Sequence, residues 1–265
     1  MPLFSIITVV RDDLAGLIRT HASLAQQVNR DFEWVVVDGA SKDGGQDWLA
    51  AHRDGIAWLC SAPDDGLYHA MNIGLGAALG RYVLFLNAGD TLADAEVLAT
   101  IAPALARAGW PDFCYGDAWE GLPGRQPRLK TARTHHWAWY GMFTHHQAMF
   151  CRRAALDGLA FRPNYPIGAD YAFILEVLKR AHGVVYLALP VCVFALGGCS
   201  GRSAGAGRHD QWCIRKELLN HGFLRCELIR TLQLLAYYTR KLAPFLFNAL
   251  RYTNRLSRSI GETAK

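Results

Sequence analysis

Polar residues of this chain gather where apolar runs stop. Phe4 to Val10 is apolar apart from Ser5 and Thr8, and it ends at Arg11-Asp12-Asp13. Trp34-Val35-Val36-Val37 is apolar throughout and ends at Asp38-Gly39-Ala40-Ser41. Tyr82 to Leu86 ends at Asn87-Ala88-Gly89-Asp90. Continuous apolar runs of this length read as strands covered on both faces. Ligands of open α/β sheets sit outside the carboxyl ends of such strands. Thr8, Asp38 and Asn87 with Asp90 are therefore expected along one edge, forming a site built from several strand ends. An acidic turn, Pro63-Asp64-Asp65-Gly66, precedes a helical segment carrying Tyr68 and Asn72 four apart on one face. Asp170 stands at the start of another helical segment, where an acid also favours the helix dipole. His135, His136, His145 and His146 raise a zinc reading, but the spacing is not a standard ligand pattern and no cysteine pairs accompany it.

These groups need elements to hold them. Strands are expected at 3–10, 34–38, 56–60 and 82–86, alternating with helices at about 13–28, 45–52, 67–79 and 94–108. Strand-helix alternation predicts an α/β fold with a mostly parallel central sheet and helices on both faces. No GxGxxG follows the first strand, and no Walker lysine loop occurs, so a nucleotide site must use carboxylates and loop amides. Segment 118–165 is irregular and aromatic, with Trp119, Trp137, Trp139, Tyr140 and Phe143, and reads as loops and short strands shaping an acceptor cleft. A helix is expected at 168–181, a strand at 184–193, and helix from about 210 onward with a break at Pro244.

The order FSIITVV, VVVDGASKDG, PDDGLYHAMNIG, LFLNAGD resembles the family 2 glycosyltransferases of GT-A fold, in the branch that assembles bacterial polysaccharide and O-antigen units. The resemblance continues through Tyr115-Gly116-Asp117, His146-Gln147-Ala148-Met149-Phe150, Ile167-Gly168-Ala169-Asp170-Tyr171 and Phe194 to Ser200, and fades after about residue 205. It implies inverting transfer of a sugar from a nucleotide-sugar to a polysaccharide or lipid-linked saccharide. Thr8, Asp38, Asp64, Tyr68, Asn72, Asn87 and Asp90 would then meet the donor. Asp117, His146 and Gln147 would meet the acceptor side, and Asp170 would be the base. Asn87-Ala88-Gly89-Asp90 stands where the family carries its acidic metal motif, and only Asp90 is acidic here. Asp90 is thus the expected protein ligand of Mg²⁺ or Mn²⁺. The missing acids at Asn87, Gly89 and Ala169 keep a second reading open, a non-catalytic module that binds glycans or a partner enzyme. A sugar nucleotidyltransferase would need a Gly-rich N-terminal loop with arginine, which is absent.

Composition sets the remaining bounds. The chain has 265 residues, 51% hydrophobic and 19% charged, enough for a sizeable core. Its seven cysteines form no CxxC pair and fit reduced thiols in a cytoplasmic compartment. No signal peptide and no stretch of 18 apolar residues is recognised. No nucleic-acid partner is expected. The division expected is a catalytic domain at 1–209 and a basic helical extension at 210–265. Residues 211–265 hold ten Lys/Arg and three Asp/Glu, a net +7 against +5 for the whole chain, so the remainder is −2. Leucines between basic residues over 223–258 suit either an anionic membrane surface or a packing face for the domain or a homodimer.

Overall fold

The computed structural model describes residues 1–121, 126–197 and 204–243. These form two compact units, Met1–Gln211 and Trp212–Lys265. The first contains β1 (Phe4–Val10), α1 (Leu14–Ala25), β2 (Phe32–Asp38), α2 (Gly45–Ala51), β3 (Trp58–Ser61), α3 (Leu67–Ala77), β4 (Tyr82–Phe85), β5 (Thr91–Leu92) and α4 (Val97–Arg107). Then follow β6 (Phe113–Gly121), β7 (Arg128–Lys130), β8 (Met149–Arg152), α5 (Ala169–Arg180) and β9 (Val184–Ala195). Helix α6 (Ala204–Leu219) runs across the division, and α7 (Phe223–Leu242) lies in the second unit.

Among the described residues the strands join one sheet in the order β3-β2-β1-β4-β8-β6-β9-β5, with β7 added to β6. The β3-β2-β1-β4 half is parallel, as the alternation predicts, and β6 pairs parallel with β9. β8, β7 and β5 run antiparallel to their neighbours. β5 was not expected, while β7 and β8 are short strands of the segment 118–165; with two to four residues each, none has a readable alternation.

All seven residues of β1 are buried, and so are all four of β4. That is why their sequences show no polar alternation. Parallel pairing aligns the tips: Val10 lies opposite Asp38, and Asp38 opposite Ser61. Two non-glycine residues at these tips, Asp12 (φ 51°) and Ala40 (φ 57°), occupy the left-handed region. Their loops are tied together by Asp12 N–H to Ser41 Oγ at 2.8 Å and Lys42 N–H to Asp12 Oδ1 at 2.7 Å. Backbone strain is thus spent along the edge where a ligand is expected.

The expected continuous C-terminal helix is broken at Asn220, whose φ of 52° ends α6 in the left-handed conformation that asparagine tolerates. Pro244, Leu246, Leu250, Arg251, Tyr252, Arg255 and Arg258 of the expected amphipathic stretch lie outside the described residues, as does the Gly198-Cys199-Ser200 end of the resemblance. None of the described helices is long and apolar enough to cross a membrane. Among the described residues Cys60, Cys114, Cys151, Cys192 and Cys226 form no disulfide.

Candidate active site

Asn87-Ala88-Gly89-Asp90 closes as a β-turn, with Asp90 N–H donating to Asn87 O at 3.0 Å. Gly89 takes the third place at φ +93°, where an L residue is strained, so the turn itself explains the missing central acid. Buried Thr20 of α1 fastens the turn. Its hydroxyl donates to Asp90 O at 2.7 Å and accepts from Gly89 N–H at 3.1 Å. Asp90 is 4% exposed, and both its oxygens are engaged. Oδ2 accepts from Gln147 Nε2 at 2.7 Å, and Oδ1 from Ala195 N–H at 2.8 Å. Burial pushes its carboxyl up to about 6, against the pull of those two donors and of His146.

Asp170 lies in the first turn of α5 with its side chain 21% exposed, so it can meet a solute that Asp90 cannot reach as easily. Its Oδ1 accepts from Tyr171 N–H at 2.7 Å, and Tyr68 Oη lies 3.5 Å away. Its Oδ2 is 3.4 Å from His146 Nδ1. The consecutive pair His146-Gln147 therefore bridges Asp170 and Asp90. Three buried polar atoms at this junction have no partner: Asn87 Oδ1, His146 Nε2 and Gln147 Oε1. Unpartnered buried polar atoms are rare, and here they cluster beside two carboxylates.

The loop before Asp170 is clamped from two sides. Tyr68 Oη donates to Ile167 O at 2.7 Å. Burial, and then the charge of Asp170, raises the Tyr68 phenol far above its ordinary range, so it stays a donor. Asp210 Oδ2 accepts from both Ile167 N–H and Gly168 N–H at 2.9 Å. Asp210 falls one residue beyond the expected catalytic boundary, and sequence reasoning missed it. A single acid in a helical stretch carries no pattern signal.

Several expected site residues are engaged elsewhere. Thr8 is fully buried; its hydroxyl donates to Leu86 O at 2.8 Å and accepts from Trp34 Nε1 at 2.9 Å. It knits the core and does not face a donor. Asn72 grips the Phe161 backbone at both ends, 2.9 Å to the carbonyl and 2.7 Å from the N–H, so its amide is used. Asp117 sits at a β-bulge, 1% exposed, accepting from Ala132 N–H at 2.8 Å and Tyr186 Oη at 2.9 Å. Its carboxylate ties β6 to the segment after β7 and to β9. Asp38 is buried and organises its own loop, taking Ser61 Oγ at 2.6 Å and the Ser41 N–H at 3.2 Å. Asp64 caps its turn through Gly66 N–H at 2.9 Å and lies against Gly39, where its Oδ2 would be 2.6 Å from an added Cβ.

The four histidines separate. His135 and His136 pack on each other at 4.2 Å, while His145 stacks on Phe194 at 4.1 Å. His145 Nε2 stands 3.1 Å from both Glu120 Oε1 and Lys130 Nζ, and burial lowers its imidazole to about 4. Among the described residues no three His, Cys, Asp or Glu side chains gather as a metal cluster. The oxygens beside Asp90 still suit a hard cation. Asn87 Oδ1 and Gln147 Oε1 are unpartnered, and magnesium-type ions take one or two protein oxygens with phosphate and water completing the shell.

Residues 5–159 match the glycosyl transferase family 2 model. The chain belongs to that family. A Mycobacterium tuberculosis PGL/p-HBAD biosynthesis glycosyltransferase is 31% identical over 201 residues, 68% of this chain and 71% of that one. The fold is that of the GT-A transferases. Staphylococcus aureus TarS 1-349, in complex with UDP-GlcNAc, superposes with a TM-score of 0.69 at 18% identity, covering 95% of this chain and 76% of that chain. The mannosyltransferase PcManGT from Pyrobaculum calidifontis, in complex with GDP-Man and Mn²⁺, gives 0.62 at 17% identity, covering 95% and 79%. In this glycosyltransferase Asp90 and Asp170 are drawn together through His146 and Gln147.

Proposed function

We propose that this glycosyltransferase moves a sugar from a nucleoside diphosphate sugar to a hydroxyl of a saccharide or lipid-linked saccharide, with inversion. The observation that carries the proposal is the His146-Gln147 bridge, which holds Asp170 and Asp90 in one cleft. Asp170, the more exposed of the two carboxylates, takes the proton from the acceptor hydroxyl as its oxygen bonds to the anomeric carbon. The anomeric bond to the diphosphate breaks, and its electron pair leaves with the nucleoside diphosphate. Asp64 and the loop shaped by Asp38 form the nucleoside side, and Asn87 Oδ1 meets the diphosphate corner. UDP-GlcNAc in TarS and GDP-Man in the mannosyltransferase support a donor of this class. A divalent ion held by Asp90 and Asn87 would neutralise charge on the leaving diphosphate.

Asp170→Asn tests the assignment. The amide is nearly isosteric but cannot take the proton. Transfer should fall at least a hundredfold, the usual contribution of general base catalysis being about 10²–10⁴, with nucleotide affinity by calorimetry unchanged. Undiminished turnover would remove Asp170 from the base role.

The second unit supports a peripheral place on the cytoplasmic membrane face. Leu224, Leu228, Leu232 and Leu235 recur along one side of α7 and are exposed, Leu224 at 82%. Arg225, Arg230 and Lys241 lie between or beyond them. Such a face suits an anionic bilayer, each basic group adding about 1 kcal/mol near the surface. Co-sedimentation of the full chain with phosphatidylserine vesicles, compared with a Leu224→Asp/Leu228→Asp variant, tests it. Equal binding by both proteins, or by neither, would return α7 to a packing or dimer role.

A further inference from the structure

The segment following β7 holds an aromatic surface that the catalytic reading leaves unused. Residues His135–Trp139 form a short 3₁₀ turn, capped by Thr134 Oγ1 accepting from His136 N–H at 3.1 Å. Only Ala138 of this turn is buried. Trp137 is 45% exposed, and its ring lies over Trp139 with centroids 5.6 Å apart and planes 24° apart. Tyr140 stands edge-on to both rings, and the Arg133 guanidinium caps Tyr140 at 5.4 Å.

The turn is fixed to the scaffold. His135 N–H donates to Tyr115 Oη of β6 at 3.0 Å. Tyr171 Oη donates to Ala138 O at 2.6 Å. Tyr171 is buried and directly follows Asp170, so one tyrosine side chain links the aromatic turn to the base. Core packing does not account for an indole nearly half in water on a turn so firmly held. A rigid aromatic face beside a catalytic group is a preorganised stacking surface.

We propose that Trp137 and Trp139 form an acceptor subsite that stacks a pyranose ring, placing its hydroxyl toward Asp170. The inference rests on the transfer reaction proposed above. The ligand chemistry follows from the surface. A pyranose offers a flat face of C–H groups to the indole and hydroxyls at its edge to polar neighbours, here exposed His136 and the Arg133 guanidinium. The acceptor and not the donor is the occupant, because the turn is anchored by the side chain of Tyr171, the residue that follows the proposed base. The diphosphate corner belongs to the separate tip of β4.

Two measurements on the full chain test this. The first is independent of turnover. The eight tryptophans give eight indole N–H resonances after ¹⁵N labelling, and Trp137→Phe and Trp139→Phe assign the relevant two. Titration with methyl pyranosides of hexoses and 6-deoxyhexoses, in the presence of UDP, should shift these two resonances saturably and leave the others in place. Absence of any shift, or a shift produced by UDP alone or only by a short-chain alkyl phosphocholine, would overturn the proposal. The second uses whichever acceptor glycan supports transfer by the wild-type protein. Trp137→Ala should raise the acceptor KM roughly tenfold, the scale of one lost aromatic stack, while hydrolysis of the donor by water stays at the wild-type rate and Trp137→Phe restores most of the affinity. An unchanged acceptor KM would overturn the subsite alone. Failure of the wild-type protein to turn over any nucleotide-sugar would instead refute the transfer reaction.

Discussion

Replacing Asp90 by asparagine should stabilise the protein at neutral pH while removing activity. Burial raises the Asp90 carboxyl from 3.8 to about 6 in the folded state. Between these values the native protein binds a proton that the unfolded chain has released, so wild-type stability falls as pH rises through the window. A gap of about two pH units, at 1.36 kcal/mol each, amounts to about 3 kcal/mol. Below pH 4 both states are protonated and this loss is absent; above pH 7 it is complete. Asp90→Asn has no such titration. Its Nδ2 would face Gln147, whose unpartnered Oε1 can turn to accept it. Any fixed cost of the substitution is the same at every pH, so the decisive quantity is the change in the difference. Urea unfolding of both proteins at pH 4.5, 5.5, 6.5 and 7.5 measures it. The stability of the variant relative to wild type should climb by about 2–3 kcal/mol across that range. A flat difference, or one that falls with pH, would show that Asp90 is not held ionised against burial.

Three further outcomes are expected. Asp210→Ala leaves two buried N–H groups without their acceptor and should lower kcat at least tenfold with nucleotide affinity unchanged, while Asp210→Asn, which keeps an acceptor oxygen, should recover most of it; steady-state kinetics and calorimetry decide. Thr8→Val strands Leu86 O and Trp34 Nε1 and should destabilise by about 2 kcal/mol in urea unfolding, without altering nucleotide affinity, because the hydroxyl belongs to the core. Removal of divalent ions by EDTA should slow transfer and Mn²⁺ should restore it; full activity in EDTA would contradict the ligand role of Asp90.

The parallel half of the fold was legible because burial on both faces leaves an unmistakable apolar run, and β1, β2 and β4 have it. The antiparallel half was legible only as unplaced short strands within 118–165, because β5, β7 and β8 are too short to show a period. The positions of Asp90 in a turn and of Asp170 at a helix start were legible, since turns and helix starts constrain residue type. What the sequence withheld was side-chain direction. Thr8, Asn72 and Asp117 stand at or near the expected edge, yet each is turned to a partner far along the chain: Leu86 O at a separation of 78, the Phe161 backbone at 89 and Tyr186 Oη at 69. Such long-range partners exist only once the sheet has formed, so no local pattern records them. Asp210 was hidden for the same reason: its partners, Ile167 and Gly168, lie 43 and 42 residues upstream.

The reduction of the acidic motif to one carboxylate then has a physical sense. Gly89 is required by the left-handed turn, so an acid there would add strain as well as charge. An acid at position 87 would place a second carboxylate in the same buried turn, and like charges in one site drive a pKa further up. Asp90, already raised to about 6, would then be protonated near neutrality unless an ion compensated. With Asn87 in that place, the buried oxygen is neutral, and the hydrogen bonds from Gln147 and Ala195, together with His146, keep Asp90 mostly ionised at pH 7. Gln147 supplies one of those bonds, and its neighbour His146 approaches Asp170 at 3.4 Å. On the proposed mechanism, the dipeptide would tie the charge state of the donor corner to the placement of the base.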